Sequence, residues 1–231
     1  MEPIIIYPKI KITKDEYIRS LGCPSHYIPD TETEKLMDEA AKWYKENDSP
    51  WVFLFSFTEI IIRKNSVSLD GQVFNSDKLA NIYTDAGVSS VYAAALSAGS
   101  YCEEKLGELK KNGLLQEQYF LDAYTSAVIN NLTQAASDKV SESVGPGKTV
   151  LPHYGPGYTG WSLEQQYLLW ELFARFTGFK DKLGITESGM LKPVKSMLVI
   201  YGVTDCCELT GEVTVSGCNN CSLPECSYKK E

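Results

Sequence analysis

The stretch WVFLFSFTEIII, Trp51 to Ile62, constrains this chain more than any other. It is rich in aromatic and β-branched residues, which marks it as a strand. Both of its alternating faces are largely apolar. A strand of that kind cannot lie with one face in water, so it belongs inside a sheet that is covered on both sides. Covering it requires a substantial apolar supply. The 231 residues are 43% hydrophobic and 23% charged, so a sizeable core can be built in one large domain or two small ones.

Helices and further strands are legible on either side of that strand along the chain. TETEKLMDEAAKWYKEN, from Thr31, has an apolar face of Leu36, Ala40 and Trp43, and Thr31 with Glu34 has the spacing of a capping box. Asp70-Gly71 predicts a turn, and Ser76 a short helix after it. SSVYAAALSAG (Ser89 to Gly99) is dominated by small residues and predicts a strand that packs close to its neighbours. Ser100 and Glu103 suggest a second capping box, with Gly113 ending that helix. A long helix follows, with Phe120, Tyr124, Ala127, Val128, Leu132 and Ala135 on one stripe. LGITESGM and SMLVIYGV predict two more strands. The mixture is α+β, in one domain over residues 1–204 with a cysteine-rich tail over 205–231.

Charge and composition exclude several classes. Lys and Arg number 22 against 30 Asp and Glu, a net charge of −8. An acidic chain without a basic cluster lacks what phosphate contacts require, so no nucleic-acid partner is expected. No apolar run reaches membrane-spanning length and no signal-peptide pattern opens the chain, so a cytoplasmic location with no membrane association is expected. ESVGPGKT imitates the end of a phosphate-binding loop, but Glu142 stands where the motif requires glycine. There are two histidines, His26 and His153, too few for HExxH metal chemistry.

Two features point to a site. LPHYGPGYTGWSLEQQYLLW (Leu151 to Trp170) sets a glycine-rich aromatic loop against a helix start, with Ser162 and Gln165 at capping-box spacing behind Trp161. Glycines there serve either a corner between elements or the close approach of a ligand to bare backbone. The second feature is the tail. Cys206, Cys207, Cys218, Cys221 and Cys226 fall in the last 26 residues, with Cys218-x2-Cys221-x4-Cys226 spacing. Thiolates so spaced suit an iron-sulfur cluster, with zinc as the alternative. Only one CxxC knuckle is present, where zinc ribbons usually show two.

The segment GPGYTGWSLEQQYLLWELF…TGF…LGITESGMLKPVKS resembles the activation domain of vitamin B12-dependent methionine synthase. The matching residues are Pro156-Gly157-Tyr158, Thr186-Glu187-Ser188, Met190, Pro193 and Ser196. EYIRSLGC, SLDG, VYAAALSAG and LDAYTSAV agree in order, so the resemblance spans about residues 15–204. It implies an α+β fold on a twisted antiparallel sheet with flanking helices. It also implies binding of S-adenosylmethionine and reductive reactivation of the cobalamin of a separate corrinoid methyltransferase, with the tail or an electron donor protein supplying the electron. His153, Pro156, Gly157, Tyr158 and Glu187 become the cofactor-binding candidates. His153 stands where the family carries an arginine, and Ser126 where it carries an acidic residue. The alternative to a reactivation partner is a non-catalytic corrinoid- or partner-binding module with structural zinc in its tail.

Overall fold

The computed structural model describes residues 2–24 and 26–205. In chain order the elements are β1 (Ile4–Ile6), α1 (Lys14–Ser20), α2 (Thr31–Asn47), β2 (Trp51–Ser56), β3 (Ile60–Arg63), β4 (Ser66–Leu69), β5 (Gln72–Asn75), α3 (Asp77–Asp85) and β6 (Val88–Ser97). There follow α4 (Tyr101–Lys111), α5 (Leu115–Val144), β7 (Thr149–Val150), a 3-10 turn (Leu163–Gln165), α6 (Gln166–Ala174), β8 (Gly184–Ile185), β9 (Leu191–Lys192) and β10 (Ser196–Thr204). A five-stranded sheet of order β1-β2-β6-β10-β7 has every pairing antiparallel. A three-stranded meander β3-β4-β5 and the short β8-β9 hairpin stand beside it. The class is α+β, an antiparallel sheet flanked by helices, as the sequence implies.

The two-sided burial read from Trp51–Ile62 is met by two cores over Trp51–Ser56, while Ile60–Arg63 alternates between half-buried and exposed. Phe53 and Phe55 of β2, Ala93 and Ala95 of β6, and Leu198 and Ile200 of β10 face one core with α3, α6 and the small meander. Val52, Leu54, Ala94, Leu96, Val199 and Tyr201 face the other, under α1, α2 and α5. Each fully buried large side chain contributes about 1.5–3 kcal/mol, so β2 is a principal anchor of both layers. The alanines of β6 leave room for both layers to close on the central strand.

The apolar run does not continue as one strand to Ile62. It leaves the large sheet after Ser56 and re-enters the meander at Ile60. Asp70, in the β4-β5 turn, causes the break. Its Oδ1 accepts hydrogen bonds from Thr58 N (2.9 Å), Glu59 N (3.0 Å) and Thr58 Oγ1 (3.1 Å), and Arg175 donates to its Oδ2 at 3.0 Å. Asp70 and Gly71 both have positive φ (47° and 85°), as a two-residue hairpin loop requires.

Helix starts also depart from the spacings. Asp30, not Thr31, caps α2, accepting from Thr33 N at 2.8 Å, and Glu34 pairs with Lys14 instead. Ser100 makes no side-chain cap on α4. Asp48, 54 positions upstream of Cys102, accepts from Cys102 N at 2.7 Å, while Glu103 accepts from Val194 N at 2.9 Å. α6 ends at Ala174, short of Gly178, and the Thr186-Glu187-Ser188 segment is the turn of the β8-β9 hairpin rather than part of a long strand.

Candidate functional site

The glycine-rich loop lies across β10. Tyr154 and Ile200 exchange backbone hydrogen bonds of 3.0 and 2.8 Å, and Leu151 N donates to Gly202 O at 2.8 Å. Gly155 is buried directly on the strand, where an added Cβ would stand 2.7 Å from Leu198 O. The need for glycine there is internal: backbone meets backbone. Gly157 serves differently, adopting φ 92° in a turn closed by Gly157 N donating to Trp161 O and Trp161 N to Tyr158 O, both at 2.9 Å. Trp161 stacks on Tyr154 with ring centres 6.0 Å apart. Ser162 caps the following turn through Glu164 N, but Gln165 completes no capping box. Its side chain instead clamps the backbone of Asn75, accepting from N at 2.7 Å and donating to O at 2.8 Å.

The loop brings His153 against Tyr201 on the α5 side of β10, while Tyr158, whose ring packs on the opposite core, reaches that side through its hydroxyl. His153 Nε2 and Tyr158 Oη are 3.0 Å apart, and the His153 ring lies 6.1 Å from that of Tyr201. Burial lowers the His153 pKa to about 4, because a charged imidazole there would lose its hydration. The ring is therefore neutral at ordinary pH, and its hydrogen bond to Tyr158 depends on the tautomer. Tyr158 Oη also lies 4.0 Å from Met197 Sδ.

Alternation along β10 sets Met197, Val199 and Tyr201 toward the helices. Lys195, two residues before Met197, reaches the same side: its Nζ donates to Asp122 Oδ2 at 2.9 Å and to Ser126 Oγ at 2.8 Å on α5. A strip results that runs from the His153–Tyr158 pair past Met197 to the Lys195–Asp122–Ser126 group. Its loop end is neutral and aromatic; its α5 end carries one cation and one carboxylate.

Of the residues named from sequence, the structure brings together His153, Pro156, Gly157 and Tyr158, with Pro156 buried under the loop. Glu187 is exposed on the β8-β9 turn, and nothing among the described residues joins it to the His153–Tyr158 pair. That turn is tied to the loop region through α6, where Gln166 Nε2 donates to Gly189 O at 2.6 Å. Ser126, at the acidic position of the resemblance, is a partner of Lys195, and the carboxylate is supplied one turn earlier by Asp122. Sequence reasoning passed over Lys195 and Asp122. The one available signal was the position of Lys195 immediately ahead of a strand whose alternating residues face α5.

The tail cysteines Cys206, Cys207, Cys218, Cys221 and Cys226 lie outside the described residues. Among the described residues no group of three or more His, Cys, Asp and Glu is placed to hold a metal ion, and no helix is long and apolar enough to cross a membrane. Cys102 is buried, donates to Gly99 O at 3.3 Å, and has its thiol pKa pushed up to about 12 by burial, so it is a structural thiol.

No family model matches the chain, and no curated protein matches it in sequence. Among solved structures, a crystal structure of the MetH reactivation domain bound to AdoHcy is similar, with a TM-score of 0.64 over 91% of this chain and 81% of that one. Sequence identity is 10%, so the likeness is one of fold. The chain has the α+β fold of a MetH reactivation domain, the architecture that its loop and Thr186–Ser196 segment imply.

Proposed function

We propose that this chain is a reactivation partner of a cobalamin-dependent methyltransferase, that of methionine synthesis in the first place. In this reading it binds S-adenosylmethionine along the strip between the loop and α5, and docks on a separate corrinoid-binding protein. The observation that carries the reading is one coincidence. The fold is that of a domain crystallised with AdoHcy, and the Pro156-Gly157-Tyr158 loop is held rigidly at the edge of a strip with both apolar and charged groups.

The roles of the residues follow from their chemistry. Tyr158 offers an aromatic face and a hydroxyl, Pro156 and Gly157 fix the loop backbone, and Glu187 remains a candidate only if the β8-β9 turn closes toward the ligand. A neutral His153 cannot hold a carboxylate by charge, so that task falls to Lys195, which would exchange part of its contact with Asp122 and Ser126 for the ligand. S-adenosylmethionine supplies a methyl group when bound; this chain's part is to bind it, orient it and keep water from it. The electron is assigned to an iron-sulfur cluster on Cys206, Cys207, Cys218, Cys221 and Cys226, or to an electron donor protein if those thiolates hold zinc.

Titration calorimetry with AdoHcy and S-adenosylmethionine tests the ligand. Saturable binding is expected, weakened about tenfold or more by Tyr158→Ala and by Lys195→Ala. No binding by the intact protein at millimolar ligand overturns the S-adenosylmethionine assignment. Metal and sulfide analysis of protein purified without oxygen, followed by addition of a Co(II) corrinoid protein, tests the redox assignment. Zinc in place of iron and sulfide, with no effect on cobalt reduction, favours the second reading. That reading, a non-catalytic corrinoid- or partner-binding module, draws on the neutrality of His153 where the resemblance calls for a permanent cation.

A further inference from the structure

We propose that a cleft of about 400 Å³ between α1, α2 and α5 is a separate binding site for a small zwitterion with a large apolar body, of dipeptide size. It is remote in orientation from the strip described above. Tyr124, which lines it, is two residues from both Asp122 and Ser126 on α5, a rotation of about 200° around the helix axis. The volume lies in the range of small-molecule sites.

The floor is aromatic and apolar. The rings of Tyr17 and Tyr124 meet edge to face at 5.1 Å, with Met37 buried beside them. Tyr17 directs its hydroxyl away, to Phe120 O at 2.8 Å. Tyr124 does not. The residue is 2% exposed, and its hydroxyl has no hydrogen-bond partner among the described residues. It is also not sealed in, unlike the unpartnered Tyr83 Oη and Trp161 Nε1. A buried ring that lines a cleft, with its one polar atom unpaired among the described residues, is a group prepared for a ligand, since leaving such an atom unpaired is unfavourable.

The rim sets the ligand's charge. Lys14 is neutralised by Glu34. Asp38 and Lys45 also line the cleft and have no ion-pair partner among the described residues. They stand seven positions apart on α2, about 10 Å along the helix, with Ala41 leaving the space between them open. One end of the cleft is thus anionic, the other cationic, and its floor apolar. A molecule of no net charge with separated ammonium and carboxylate groups satisfies all three.

The probe is L-phenylalanyl-L-alanine, compared with its N-acetyl and C-terminal amide forms, followed by amide chemical shifts of the full chain. Saturable shifts at Met37, Ala41 and Tyr124 are expected, with the zwitterion binding several-fold more tightly than either single-charge form. Tyr124→Phe is expected to weaken binding about five- to tenfold and leave the melting temperature unchanged, because the lost hydroxyl has no partner among the described residues. Asp38→Asn is expected to weaken the free dipeptide and leave the N-acetyl form unaffected. The proposal is overturned by the absence of saturable shifts at ~10 mM probe, a millimolar affinity being the weakest that marks a site. It is equally overturned by shifts confined to the His153–Tyr158 strip, by equal affinity of the Tyr124→Phe protein, or by a fall in its melting temperature, which would make the hydroxyl structural.

Discussion

Gly155→Ala is the sharpest perturbation of the loop. The methyl carbon would stand 2.7 Å from Leu198 O and 3.2 Å from Val199 Cγ1. The first contact is with backbone, and β10 cannot retreat because β6 pairs along nearly its whole length. The loop must lift instead. Lifting it strains the two hydrogen bonds between Tyr154 and Ile200, each worth about 1 kcal/mol, on top of an overpacking cost of about 1–3 kcal/mol. The expected destabilisation is about 2–4 kcal/mol, or a fall of roughly 5–15 °C in melting temperature for a chain of this size. Gly157→Ala is the control. Its φ of 92° imposes a backbone cost of about 1–2 kcal/mol, but its nearest neighbour is the flexible end of Leu163 at 3.2 Å. Urea unfolding gives the free energies, and hydrogen exchange at the Ile200 amide reports the local opening. If Gly155→Ala lies within 0.5 kcal/mol of the parent, or costs less than Gly157→Ala, the close backbone approach is not what the loop depends on (a margin set by the usual scatter of neutral substitutions, about ±0.5 kcal/mol).

Other expectations follow from the same geometry. His153 has a folded-state pKa of about 4 against an ordinary 6.5, so the unfolded chain takes up its proton first. Its contribution is fully present above pH 6.5 and is lost as the pH falls toward 4, by about 1–3 kcal/mol, and His153→Gln should flatten that part of the stability profile. Asp70→Ala removes three hydrogen bonds at the β2-β3 break and the Arg175 pair, and should cost about 2–3 kcal/mol in urea unfolding; Asp70→Asn should recover more than half of it. Asp48→Ala uncaps α4 and should cost about 1 kcal/mol, with faster amide exchange at Cys102 as the local readout.

Sequence alone determined the kinds of element in this protein and the need for cover on both faces of one strand. The run Trp51–Ile62 called for cover on both sides, the stripe through Phe120, Tyr124, Val128 and Leu132 for a long helix, and Asp70-Gly71 for a turn. Each follows from periodicity or from a φ requirement, and these are local properties of neighbouring residues. The Pro156-Gly157-Tyr158 loop was legible for the same reason, since its glycines and aromatics are contiguous. What the sequence could not decide is which polar group each carboxylate, lysine or glutamine would take. Asp70 divides an apolar run that reads as one strand, Asp48 caps a helix that begins with its own Ser100, Gln165 leaves a capping box to hold Asn75, and Lys195 binds α5 from more than sixty residues away. A carboxylate meets several N–H groups of equal chemistry, and short range cannot rank them. The path of the chain ranks them by bringing one within 3 Å, and only the tertiary structure contains that path.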